Sequence, residues 1–110
     1  MNVILKRTNG FLDGSVERAT SLLKAMANKH RLVILIKLAD REYSVRELEH
    51  VTGLGQSALS QHLARLRRDR LVTTRTSAQT VFYRLADNKV RKVLETLDCQ
   101  HNREFKTPLF

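Results

Sequence analysis

Gln56, Ser57, Ser60 and Gln61 recur three or four residues apart with Arg65 four beyond, so on a helix they share one face. Glutamine and arginine make paired hydrogen bonds to the edges of adenine and guanine, and a serine hydroxyl donates or accepts as needed. That is the chemistry of reading bases in a major groove. Arg65, Arg67, Arg68, Arg70 and Arg75 fall within eleven residues, interrupted by Asp69, and form the densest cationic cluster in the chain. A charge run is commonly only solvated surface, but one that trails a polar helix face is suited to neutralising phosphate, with binding that weakens steeply as salt rises. Ser77, Gln79 and Thr80 lie just beyond, where they form either a solvated turn or a contact to flanking backbone or minor groove.

Other chemistry is poorly supported. No nucleophile stands with a base and an orienting partner, so no enzyme is expected. His62 falls beside Leu59 and Leu66 on the helix and is expected to be a hydrogen-bonded boundary residue, not a metal ligand. Asp98, His101 and Glu104 follow a three-residue spacing without a second histidine nearby, so neither metal nor cofactor is assigned.

Composition agrees with a polyanionic partner. Twenty Lys and Arg against 11 Asp and Glu leave a formal charge of +9 on 110 residues. The length fits one domain with a thin core, to which a second copy would add useful apolar burial. No apolar run approaches the roughly 18 residues of a membrane span, and Met1–Leu5 is too short for a secretory leader. A cytoplasmic protein is expected, and the single Cys99 fits a reducing compartment.

The elements that must position these groups follow from periodicity. Residues 1–14 contain Thr8-Asn9-Gly10 and Asp13-Gly14 and are expected to form a flexible arm. Ser15 can cap a helix whose Val16, Ala19, Leu22, Leu23, Met26 and Ala27 make one apolar stripe. Asn28 ends it or caps the next segment, Lys29 to Ala39, whose Leu32-to-Leu38 run fits a buried helix or strand; its length favours helix. After a polar link, Asp40 to Tyr43, the Ser44-to-Glu47 spacing is a capping box for a short helix ending near Val51. Gly53 supplies a left-handed turn, and the next helix begins near Gln56 with Leu59, Leu63 and Leu66 facing inward. From Leu71 the period becomes two on both sides of Ser77-Ala78-Gln79, a β-hairpin over about 72–85. Asp87 can cap a last helix bearing Val90, Val93, Leu94 and Leu97, and residues 99–110 are expected to fray. The domain thus covers 15–98: mainly α, about five helices with a two-stranded wing, a winged helix-turn-helix.

At this level of detail the chain resembles the ArsR/SmtB family of bacterial winged-helix repressors. The likeness rests on Leu22-Leu23-Lys24-Ala25-Met26-Ala27-Asn28, Arg31-Leu32, Gln56-Ser57-Ala58-Leu59-Ser60-Gln61-His62-Leu63 and Ala78-Gln79-Thr80-Val81-Phe82-Tyr83. The last two are most like the branch that contains HlyU, NolR and BigR. The resemblance implies a homodimer whose first and last helices pair and present two reading helices to an inverted-repeat promoter operator. Val16, Ala19, Leu23, Val90, Val93, Leu94 and Leu97 are then candidates for the seam, though each stripe could equally complete its own subunit's core.

Departures from the family concern its signals. Where metal-sensing members carry a Cys-x-Cys pair this chain has Ser44 and Arg46, and where others bind metal between the last helices it keeps Asp87 but has Lys89, Gln100 and Arg103. Members that sense oxidants or reactive sulfur use two cysteines; Cys99 matches one, and the other position is Ile36, which leaves no bridge within a subunit. The leading expectation is a sequence-specific regulator that binds double-stranded DNA. The alternatives are a non-specific architectural nucleic-acid-binding protein and a thiol sensor using Cys99.

Overall fold

In the computed structural model, which describes residues 14–97, Asn28 separates the first two helices, α1 (Val16–Met26) and α2 (Lys29–Asp40). Its extended backbone and a side chain that accepts from Arg31 N at 3.1 Å cap α2. Ser15 does not cap α1. Its backbone is already helical, and its hydroxyl accepts instead from the Arg18 guanidinium at 2.9 Å. Helix α2 is the hub of the core, with Val33, Ile34, Leu35, Ile36 and Leu38 buried. An element apolar nearly all round belongs at the centre of a small domain.

The link after α2 is less polar in effect than in composition. Tyr43 is buried in the core, and Tyr43–Ser44 forms a two-residue strand, β1, paired antiparallel to a later strand, β3 (Thr80–Leu85). With β2 (Val72–Ser77) the sheet has three strands in the order β1-β3-β2, not the two expected of the hairpin alone. A strand of two residues has no period to detect. Ser44 then caps α3 (Val45–Thr52) through the expected box, accepting from Glu47 N at 3.2 Å while Glu47 Oε1 accepts from Ser44 N at 2.9 Å. That Ser44 N–H, outweighing the opposing effect of desolvation, and the nearby Arg41 hold the Glu47 carboxyl below its ordinary range.

Gly53 turns the chain with φ +70°, a conformation costly to any residue with a Cβ. Thr52 braces the turn: its hydroxyl donates to Leu48 O at 2.6 Å and accepts from Leu54 N at 3.2 Å. Helix α4 (Gln56–Arg68) follows, and its end is a Schellman turn, with Leu71 N bonded to Leu66 O and Arg70 N to Arg67 O. Arg70 occupies the left-handed position at φ +65°, where glycine is usual. The last helix, α5 (Lys89–Thr96), has Asn88 and not Asp87 at its N-cap, and the Asn88 side chain makes no cap; Asp87, one residue earlier, accepts from Lys89 N at 2.9 Å.

Two expected apolar stripes divide. On α1, Ala25 and Met26 are buried and Leu22 packs against the core, whereas Val16, Ala19 and Leu23 are exposed. On α5, Val90 and Leu94 are buried within this chain's own core and Leu97 is exposed. Val90 and Leu94 are therefore core residues and not free seam residues. Amphipathic spacing says that a face is covered, not which chain covers it.

Candidate nucleic-acid interface

Helix α4 is fastened by Leu59, Leu63 and Leu66, each no more than 2% exposed. Their burial turns the opposite face outward, so Gln56, Ser57, Ser60 and Gln61 are all exposed, together with Ala58 and Ala64. Gly55 precedes the helix without a side-chain cap, and its first turn carries no acidic residue. The unpaired N–H groups and the positive end of the helix dipole are thus left open to an anion. These four reading candidates form one polar face at the N-terminal half of α4, as their spacing predicts.

Arg65 differs from them. It is half-buried and its Nε donates to Asp69 Oδ2 at 3.0 Å; Arg68 Nε reaches the other oxygen of the same carboxylate at 3.4 Å. Burial alone would raise the Asp69 pKa, but the hydrogen bonds and charges of Arg65 and Arg68 outweigh it and hold the carboxyl below its ordinary value. Arg67 and Arg70 are exposed.

The sheet stands beside this helix. Ser77 pairs with Thr80, so Ala78 and Gln79 alone make the turn, with φ +49° and +71°. Two left-handed residues in a row are the type I′ hairpin turn, ordinarily filled by Asn-Gly. Ser77, Gln79 and Thr80 are exposed at its tip. Arg75, on β2, is held by Glu42 at 2.8 Å and lies over the Phe82 ring. A cleft of about 370 Å³ opens between α4 and β3, with Ser60, Arg67 and Arg68 on the helix side and Tyr83 on the strand side.

A brace behind α4 has no local spacing that could announce it. Arg31 Nε donates to Ala25 O at 2.6 Å and its Nη2 to Lys24 O at 3.2 Å, which ties α2 to the end of α1. Its Nη1 lies 3.4 Å from His62 Nδ1, and a guanidinium can only donate, so the contact requires a neutral imidazole. Desolvation, then the charge of Arg31, then His30 at a ring separation of 5.6 Å push the His62 pKa down and favour that form. His62 is thus a boundary residue joined to its neighbours, as its position among the leucines implies.

The polar face of a helix that follows a tight turn, flanked by a three-stranded wing, has counterparts of known family. Residues 28–74 match the signature of the arsR family of bacterial regulatory proteins. The transcriptional activator HlyU of Vibrio cholerae is 56% identical over 89 residues, covering 78% of this chain and 82% of that protein.

The chain belongs to the ArsR family.

A solved structure of the same HlyU superposes with a TM-score of 0.71, covering 76% of this chain and 90% of that one at 57% identity. NolR from Sinorhizobium fredii gives 0.72 at 45% identity over 78% of this chain and 86% of that one. The transcriptional repressor BigR from Xylella fastidiosa gives 0.71 at 34% identity, over 81% and 91%. As an ArsR-family member the protein is a DNA-binding transcriptional regulator with a winged helix-turn-helix fold. Its relatives are regulators and not enzymes, and among the described residues no helix is long and apolar enough to cross a membrane. The arm before Gly14, Asp98, Cys99, His101 and Glu104 lie outside the described residues.

Proposed function

We propose that the protein is a cytoplasmic homodimer that reads an inverted-repeat operator in double-stranded DNA. Gln56, Ser57, Ser60 and Gln61 of α4 read base edges in the major groove, and Arg65 adds a base contact from the end that Asp69 steadies. Arg67, Arg68, Arg70 and Arg75 neutralise phosphates, with Ser77, Gln79 and Thr80 at a flanking groove. The observation that carries this reading is the outward polar face of α4, held by three buried leucines and free of acidic groups in its first turn.

The dimer is supported by what one chain leaves uncovered. Val16, Leu23 and Leu97 are exposed large apolar residues; Ala19 is exposed and Val93 half-buried. A second copy that covers them with the same surface makes a two-fold seam. Two reading helices then meet half-sites about one helical turn, roughly 34–36 Å, apart or a multiple of it.

Selection of bound duplexes from a random pool tests the reading. An enriched inverted repeat is the expected result; a pool that stays random favours architectural binding. Leu23→Asp and Leu97→Asp should yield folded monomers that bind the selected repeat far more weakly, as sedimentation and gel shift would register.

A further inference from the structure

Glu42 lies in the link between α2 and β1, 33 residues from Arg75 in sequence. Its Oε1 accepts from Arg75 Nε at 2.8 Å, and its Oε2 stands 3.7 Å from Arg84 Nη1, so one carboxylate joins both long strands of the wing. The Arg75 guanidinium carbon is also 4.7 Å from the ring centroid of Phe82, its register partner on β3. Arg75 is therefore held along its Nε edge and on one face. Neither of its Nη groups has a partner among the described residues, and its side chain is 46% exposed.

A guanidinium with its stem fixed and its outer fork free is suited to a bidentate phosphate contact. Ordering it in advance removes most of the rotamer entropy that a loose arginine loses on binding. By charge alone, however, an acid among the wing cations should hinder binding to a polyanion. We propose that Glu42 is a positioning residue for DNA binding, which presents Arg75 as a preset phosphate clamp on the wing. This rests on the reading of the wing as a DNA-contacting element.

The sign of one mutation separates the two effects. Glu42→Ala makes the protein more positive, so a purely electrostatic role predicts tighter binding. Positioning predicts weaker binding, by about 2- to 12-fold, the loss from immobilising one long side chain at the interface. The measurement is the Kd of the full chain for its selected duplex at fixed salt, for wild type, Glu42→Ala, Arg75→Ala and the double variant. Glu42→Gln, which keeps an acceptor for Nε, should bind between wild type and Glu42→Ala.

In the Arg75→Ala background, Glu42→Ala should no longer weaken binding, because no clamp is left to position. Equal losses in both backgrounds would overturn the proposal in favour of a general structural role. Glu42→Ala binding as tightly as wild type or tighter, with Arg75→Ala weakened, overturns the proposal while the wing reading stands. Arg75→Ala binding like wild type overturns the wing reading and the proposal with it.

Discussion

The reading helix sinks Leu59, Leu63 and Leu66 into the core, whereas residues 75–81 around the tip of the wing are all exposed. One element is fixed by apolar burial. The other is fixed by a carboxylate between two arginines, a ring beneath a guanidinium, and a turn held in a left-handed conformation. The difference matches what each is proposed to touch. Hydrogen bonds to base edges demand a helix placed to a fraction of an ångström, and close packing supplies that rigidity. Phosphates are less exacting partners, and charge attracts them from a distance.

The contrast can be broken most severely at its rigid end. Leu63→Ala removes buried methyl groups from under α4 and should cost about 2–5 kcal/mol of stability. Chemical denaturation should register this as a lower midpoint. A loss below about 1 kcal/mol would mean that α4 is not fastened by its leucines.

The wing should respond in the opposite direction. Ala78 and Gln79 occupy a turn that favours Asn-Gly, so the double variant Ala78→Asn, Gln79→Gly should gain about 1 kcal/mol of stability. Backbone strain that persists at an exposed tip is expected where the side chains serve binding. The same variant should therefore melt higher and bind operator less well. Unchanged affinity would remove Gln79 from the DNA contacts.

A smaller, pH-dependent effect tests the brace behind α4. His62 is kept neutral by burial and by Arg31 and His30, so its folded pKa lies below that of the unfolded chain. On acidification the unfolded chain takes up the proton first. Stability present above about pH 6.5 is then lost as pH falls through the lowered folded value. Thermal melts over this range should show a gentler decline for His62→Gln than for wild type. Asp69 and Glu47, whose carboxyl pKa values are also lowered, should add a separate loss only below about pH 4.

Much of this architecture is written in local spacing. The Asn28 cap, the Ser44–Glu47 box, the Gly53 turn and the three inward leucines of α4 each involve residues within a turn or two of one another. What the chain conceals is held by distant partners. The Glu42–Arg75 pair spans 33 residues and the Arg31–His62 contact 31, and no periodicity links such positions. Tyr43 hides in a segment of charged neighbours because β1 is too short to alternate. Ser15 has the right residue type for a cap and the wrong backbone, and Ala78-Gln79 has the right backbone for a hairpin turn without its usual residues. The polar face of α4 was legible because a helix buried on one side must expose the other. The ownership of the Val90 and Leu94 stripe was not, because either chain of a dimer could have covered it.

The central claim is that the outward face of α4 reads sequence. Its most direct test is the ratio of affinities for the selected operator and a random duplex, measured at one salt concentration for wild type, Ser57→Ala and Gln61→Ala. Loss of a good base contact should lower that ratio about 5- to 150-fold, equivalent to about 1–3 kcal/mol of discrimination per site, with little change in affinity for the random duplex. A ratio unchanged in both variants would contradict the account.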